Sequence, residues 1–389
     1  MLGSRRAATV LAFGMAACVL ELEREEKIKQ RRKKYRSRPY LKESGKLEHL
    51  LQSPTLFYEN FHMSEVTFNA LFGLVEKTLL SKRSTQPETT SIPPKAELGI
   101  ILQFLSTGEL KRHSGYTYNH LNTQDLQLIL ERVCDAICEG LKDEFPKWTT
   151  ENMLRWSEEF KKKFKIPNCL GIVGGKHVAI KKPTNSDELF LNYKGFHSVL
   201  ILAICDISYR FTYIDAGAFG NGGEQYAFTK SKFGNDLLSD KLPFPQDSML
   251  NGHEAPYFIV GNDAFPLHMR LMKQYYGKHL DEKEQVFNAK LGETLRCIEN
   301  AFAILSARWM AFQRTLPNQP YEAQKIIATC CYLHNFLMRE SPKTYSITPD
   351  SEIPPNTVMT ELRPCRRGRP HDFCKKLRNN LREYLNSCV

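Results

Sequence analysis

At Pro167 the spacing of the apolar residues changes period, and this change constrains the fold more than any other feature of the chain. Upstream, Phe68, Leu71, Phe72, Val75 and Leu79 follow Ser64, and Leu98, Ile101, Leu102 and Leu105 lie between Pro93-Pro94 and Gly108. Two more sets follow: Leu126, Ile129, Leu130, Val133 and Ile137 after Thr123, and Met153, Trp156, Phe160 and Phe164 after Thr149. Each set falls on one face of a helix, and a Ser or Thr at the head of a run accepts from the free N–H groups of the first turn. Downstream, "CLGIVGGKHVAI", "FHSVLILAICD", "RFTYIDAGAF" and "PYFIVGND" are short and rich in β-branched and aromatic residues. Runs this apolar predict strands of one largely buried sheet. Two long helical patterns complete the block, one through Leu291, Leu295, Ile298, Phe302, Leu305 and Trp309 and one through Ile326, Ile327, Cys330, Leu333 and Leu337. Strands followed by packed helices predict an α/β or α+β domain. The expected organisation is a basic N-terminal helix or arm over 1–48, an all-α helical domain over 49–165, an α/β domain over 166–340 and a basic C-terminal tail over 341–389.

The charge is uneven. The chain carries a formal net charge of +11, which favours a polyanionic partner but supplies affinity without specificity. "KQRRKKYRSR" from Lys29 and "RPCRRGRP" from Arg363 hold much of it. Runs of this kind act as nuclear-import or nucleic-acid arms, so the nucleus is the expected location, with the cytoplasm as the alternative. Ala7 to Leu20 is apolar but shorter than the roughly 20 residues of a membrane span. No small-residue cleavage site precedes the charged "ELEREEKIKQ", so a helix running on to Lys34 is expected, with a targeting segment as the alternative. The 11 cysteines have no regular spacing, which predicts reduced thiols. Cys134, Cys138, Cys330, Cys331 and His334 fall on apolar helical faces and are expected in the core; Cys365, His371 and Cys374 offer three ligands where a closed zinc site takes four.

The stretch "GIVGGKHVAI" holds two adjacent glycines inside a strand. A phosphate loop of the Walker type is excluded by the spacing of Gly171, Gly174, Gly175 and Lys176 and by the absence of the following hydroxyl. Glycine within a strand otherwise marks a bulge or a close approach of another backbone.

Five blocks resemble the Harbinger transposase-derived nuclease family: "NCLGIVGGKHVAIKKP", "NYKGFHSVLILAICDISYRFTYIDAGAFG", "YFIVGNDAFPLHMRLM", "FNAKLGETLRCIENAFAILSARW" and "CCYLHNFL". They occur in the family's order across most of 166–340. The resemblance implies a ribonuclease-H-like mixed sheet flanked by helices. It also implies DNA strand cleavage by two divalent cations, magnesium or manganese, held by an Asp-Asp-Glu triad. Hard cations of this kind take charged oxygen ligands and clamp the attacking and leaving oxygens.

Matched residue by residue, the first Asp of the triad falls on Gly174 and the second on Asn262, whose amide oxygen brings no charge. The Glu falls on Glu299. Only Glu299 remains, so a degraded centre and impaired cleavage are expected. The alternative is an active endonuclease in which Glu299 works with Asp263 or Glu224 as catalytic and metal-binding carboxylates. Asp263 enters the site only if its strand has already ended, because successive strand side chains point to opposite faces. Asp206 and Asp215, at other strand ends, are candidate carboxylates and equally candidate turn residues.

Lys176 and His177 match the family's Lys-His and are candidate phosphate contacts, which need charge and no metal. Near the C-terminus, Arg367, Gly368, Arg369 and Pro370 are similar to an AT-hook, whose arginines enter a narrow minor groove. The family's helix-turn-helix-like unit falls near Lys111 to Val133, with the helix from Thr123 as recognition element, although Asp125 and Glu131 put acid on it. DNA is the expected partner and no membrane is expected. A non-catalytic role beside a Myb-like DNA-binding protein is the third reading.

Overall fold

The computed structural model describes residues 53–85, 92–108, 123–184, 188–221, 224–345, 359–363 and 370–387. The N-terminal arm, Ala7 to Lys34 and the pair Arg367 and Arg369 lie outside them. Among the described residues five α-helices come first: α1 (Pro54–Phe61), α2 (Glu65–Thr85), α3 (Pro94–Thr107), α4 (Thr123–Gly140) and α5 (Thr150–Phe164). Their ends follow from side-chain chemistry. Ser64 Oγ accepts from the amide of Thr67 at 3.2 Å, and the Thr149 side chain accepts from the amide of Asn152. Gly108 ends α3 at φ 70, a left-handed conformation that glycine adopts without a Cβ penalty.

The sheet follows, with β1 (Cys169–Ala179), β2 (Ser198–Cys205) and β3 (Phe211–Phe219), then helices α6 (Glu224–Lys230) and α7 (Lys232–Leu238). A hairpin of β4 (Ser248–Leu250) and β5 (His253–Ala255) leads to β6 (Phe258–Gly261) and β7 (Leu271–Met272). Two long helices, α8 (Glu282–Arg308) and α9 (Pro320–Glu340), precede the short α10 (Pro342–Tyr345), strand β8 (Met359–Glu361) and helix α11 (Asp372–Ser387). Asp281 and Glu284 form a reciprocal capping box at the head of α8.

The strand order is β3-β2-β1-β6-β7, with β8 also paired to β1. β1, β2 and β3 run antiparallel, and β6 and β7 are parallel to β1, so the sheet is mixed, as expected. Both faces are covered. Ile172, Val178, Ile201, Ala203 and Val260 belong to the core shared with α8 and α9, and Leu170, Val173, Leu202 and Ile259 pack with Met153, Trp156, Phe228 and Phe233. Each such side chain contributes roughly 1.5–3 kcal/mol on burial. The core of the first face is continuous with that of the upstream helices, through Phe68, Leu102, Val133 and Ile137.

The helix-turn-helix-like unit expected near Lys111 to Val133 lies partly outside the described residues, and of it the structure describes helix α4. That helix packs against α2, α3 and α9, Asp125 and Arg132 are buried, and Gln124, Gln127 and Glu139 are its exposed side chains among the described residues. The side it leaves open carries Gln124, Gln127, the half-buried Glu131 and Asp135, and Glu139, acid without a basic side chain, which disfavours a groove contact. The cysteines behave as core. Burial pushes the Cys134 thiol up to about 12 and that of Cys138 up to about 11, and Cys330 and Cys331 are fully buried. His334 is buried beside the Tyr209 carbonyl, with its Nε2 at 2.8 Å, and burial lowers its pKa to about 4. Asp206 is a turn residue, its Oδ1 accepting from the amides of Ser208 and Arg210. Among the described residues no helix is long and apolar enough to cross a membrane.

Candidate active site

β1 is long enough to have two neighbours on one edge. Its first half pairs with β6 as far as Val173 opposite Gly261, and its second half pairs with β8 from Lys176 opposite Glu361. The two neighbours run in opposite directions, so both end over Gly174 and Gly175. Side chains alternate along a strand, which puts Ile172, Gly174, Lys176 and Val178 on the face covered by α8. Asn262 follows the last residue of β6 on that edge. The positions matched to the triad, Gly174, Asn262 and Glu299, are therefore neighbours at the strand ends and the facing turn of α8.

Each of the three has other work. A Cβ added to Gly174 would stand 2.8 Å from Ile298 Cγ1 and 3.1 Å from its Cγ2. Gly174 also faces the small Ala203 across the β1–β2 pair, so α8 approaches the sheet closely here and Ile298 fills the space. Asn262 Oδ1 accepts from the amide of Ala264 at 3.0 Å, holding the turn that ends β6. Glu299 Oε2 accepts from Lys176 Nζ at 2.8 Å.

Lys176 is the centre of the arrangement. Its side chain is 1% exposed, and its ammonium is paired with Glu299 and with Glu361 of β8, carboxylates that remain 40% and 54% exposed. The ring of Phe302 lies beneath, its centroid 5.9 Å from Nζ. A buried ammonium needs such partners because desolvation penalises an uncompensated charge. Tyr193 secures the strand that carries Glu361, its hydroxyl donating to the Glu361 carbonyl at 3.0 Å. Leu362, next in the chain, is buried against the position of Gly175.

The other candidate residues stand apart from this cluster. His177 is buried on the opposite face, where Nδ1 lies 3.0 Å from Ser198 Oγ. Asp263 follows the end of β6, is 43% exposed and pairs with Lys273 at 3.9 Å. Asp215 is half-buried on β3, and desolvation raises its carboxyl above the ordinary range. Glu224 begins α6, and its side chain lies outside what the structure describes. Among the described residues no group of three or more His, Cys, Asp or Glu side chains is placed to hold a metal ion. Sequence reasoning missed Glu361 and Ile298. The signal for the first was "VMTEL", an apolar island in a polar tail; for the second it was only the helical spacing that makes Ile298 a core residue.

The family model described as DDE superfamily endonuclease matches residues 173–335, a span that begins beside Gly174 and includes Asn262 and Glu299. An endonuclease domain of this superfamily is ribonuclease-H-like, in agreement with the mixed sheet flanked by helices. The chain is 24% identical over 315 residues to "Protein ALP1-like" of Arabidopsis thaliana, covering 77% of this chain and 74% of that one. It is 24% identical over 298 residues to "Putative nuclease HARBI1" of Bos taurus, with coverage of 73% and 79%. The protein of the same name in Homo sapiens is 25% identical over 300 residues, again with coverage of 73% and 79%. No solved structure matches.

Proposed function

This chain belongs to the Harbinger transposase-derived family, and we propose that it keeps the nuclease fold as a DNA-binding body whose metal-dependent cleavage is impaired. The single observation that carries this reading is Gly174, which has no side chain and lies directly under Ile298, so that Glu299 is left with Lys176 and not with a second carboxylate at that position.

The donors present do not fit a pair of magnesium or manganese ions. Gly174 has no ligand and no room for one, Asn262 spends its oxygen on the chain, and Glu299 is already paired with Lys176. Even with Asp263 turned inward, the three carboxylates Glu299, Glu361 and Asp263 less the Lys176 ammonium leave a net of two negative charges against the four positive charges of two divalent ions, and affinity falls as ligand charge is lost. A site that holds one ion loses the clamp on one of the reacting oxygens.

DNA binding needs none of this. The basic runs at the two ends of the chain, including Arg367 and Arg369, support phosphate and minor-groove contacts and a nuclear location. Lys161, Lys162, Lys163 and Lys165 add an exposed basic end to α5. A Myb-like DNA-binding protein is the partner class that the family supports. The relatives named as nucleases support cleavage as the ancestral activity.

The test is plasmid nicking by the full chain with magnesium or manganese, beside Glu299→Ala, together with salt-dependent retention of duplex DNA. The expected result is equal background nicking by both proteins, and retention that weakens steeply with salt. Cutting by the parent chain that disappears in Glu299→Ala would overturn the reading in favour of an active enzyme. Absence of retention at every salt concentration would leave the role of an interaction protein.

A further inference from the structure

We propose that residues 359–362 are a releasable plug, in which β8 lies on the free edge of β1 and presents Glu361 to Lys176 where a nucleic-acid phosphate would otherwise sit. The inference rests on the DNA-binding reading above.

Three features of the strand carry it. Its position is the first. β6 leaves the edge of β1 at Val173, and β8 takes the same edge from Lys176 to Val178, so the segment covers the flank of the strand that holds the candidate site. Without it, Lys176 Nζ would keep Glu299 and the ring of Phe302, with its side toward that edge uncovered. The second feature is chemistry. An ammonium recognises phosphate as a point charge, and the carboxylate of Glu361 occupies that role from within the chain. The Glu361 side chain stays 54% exposed, so the contact lies at the mouth of the site and is open to competition by an anion in solution.

The third feature is weak attachment. β8 is three residues long and, among the described residues, pairs with β1 alone; the Tyr193 hydroxyl at the Glu361 carbonyl and the buried side chains of Met359 and Leu362 are among its further fixings. A short strand bonded on one side is among the elements that open at low free energy while the core stays closed. When it lifts, Lys176 regains an open side, and so does the row of β1 groups that β8 had covered.

The experiment uses the full chain, a labelled duplex DNA and two variants. Glu361→Gln removes the charge and keeps the shape, whereas Leu362→Asp expels the segment from its apolar seat. Hydrogen exchange across Gly175 to Ala179 is expected to quicken by about tenfold or more in Leu362→Asp while β2 and β3 keep their protection. Both variants are expected to bind duplex DNA with a log–log salt slope steeper by about 0.9, one added phosphate contact. Adding Lys176→Gln should abolish that increment. Parental exchange rates in a folded Leu362→Asp protein, or a parental salt slope in Glu361→Gln, would overturn the plug. DNA retention by the parent with no change in Glu361→Gln sinks the plug alone; retention only in the variants upholds the plug and sinks DNA binding by the parent; no retention by any of them sinks both.

Discussion

The packing of Ile298 over Gly174 predicts that placing a carboxylate at this position will damage the fold before it can bind metal. The added Cβ would meet Ile298 Cγ1 at 2.8 Å, where carbon atoms in favourable contact stand about 3.5–4.0 Å apart. Ile298 is 2% exposed and β-branched, so it cannot swing aside as a long flexible side chain would. Overpacking of this kind costs about 1–3 kcal/mol. Removing the conformational freedom of a strand glycine returns roughly 0.5–1 kcal/mol. Gly174→Ala should therefore lose about 0–2.5 kcal/mol, and Gly174→Asp should lose more, because its carboxylate must also leave water.

Ile298→Ala provides the control. Alone it opens a cavity and should cost about 2–5 kcal/mol. With Gly174→Asp in place the same truncation relieves the clash, so the double variant should be more stable than the sum of the single losses by about 0.5–3 kcal/mol. Urea denaturation of the parent, both single variants and the double variant gives the cycle, provided the slopes agree. Additive losses, or a Gly174→Asp protein within ±0.5 kcal/mol of the parent, would refute the argument that Ile298 has taken the space of a ligand. So would stabilisation by magnesium of the variant carrying both Gly174→Asp and Asn262→Asp.

Two further outcomes concern groups away from the site. Glu97 is fully buried and accepts from Arg132 at 3.1 and 2.5 Å, with Arg83 Nη1 at 3.8 Å. Glu97→Gln leaves two guanidinium groups without their anion, and urea denaturation should show a loss of about 3–5 kcal/mol; a loss under 1 kcal/mol would mean that water reaches the pair. His334, held neutral in the fold with its pKa lowered to about 4, accepts a proton more readily when unfolded, near 6.5. Stability is therefore complete above about 6.5 and falls by up to roughly 3 kcal/mol as pH drops to about 4. Comparison of denaturation midpoints for the parent and His334→Gln across that range checks the sign, and a parent slope equal to that of the variant would contradict it.

Local signals account for what was legible in the sequence. The caps at Ser64 and Thr149, the glycine stop at Gly108 and the apolar run of β1 act within a few residues of where they are written, and the elements begin and end accordingly. Pairing across long stretches of chain was not legible. Lys176 and Glu361 lie 185 positions apart, and nothing near either marks the other as its partner. "VMTEL" sits in a segment that composition alone marks as a basic tail, yet its strand and the α11 helix beyond it pack into the fold. The helix from Thr123 was readable as a helix, but how much of it is covered was not, because that depends on α2, α3 and α9 arriving from elsewhere.

The same long-range pairing changes what the presence of Glu299 means. In a nuclease, a carboxylate at this turn of α8 is explained by the cations it holds. Here a lysine that is 1% exposed lies 2.8 Å away, and a buried ammonium would be severely destabilising without an anion beside it. Glu299 therefore has a sufficient reason to be where it is without catalysis, and so has Glu361. A loss of solubility or DNA retention in Glu299→Ala says nothing about cleavage, since removing the carboxylate disturbs the seat of Lys176 and hence of β8. Only nicking normalised to folded protein separates the two roles, because the electrostatic role weakens the fold with or without magnesium, whereas the catalytic role vanishes when the cation is withheld.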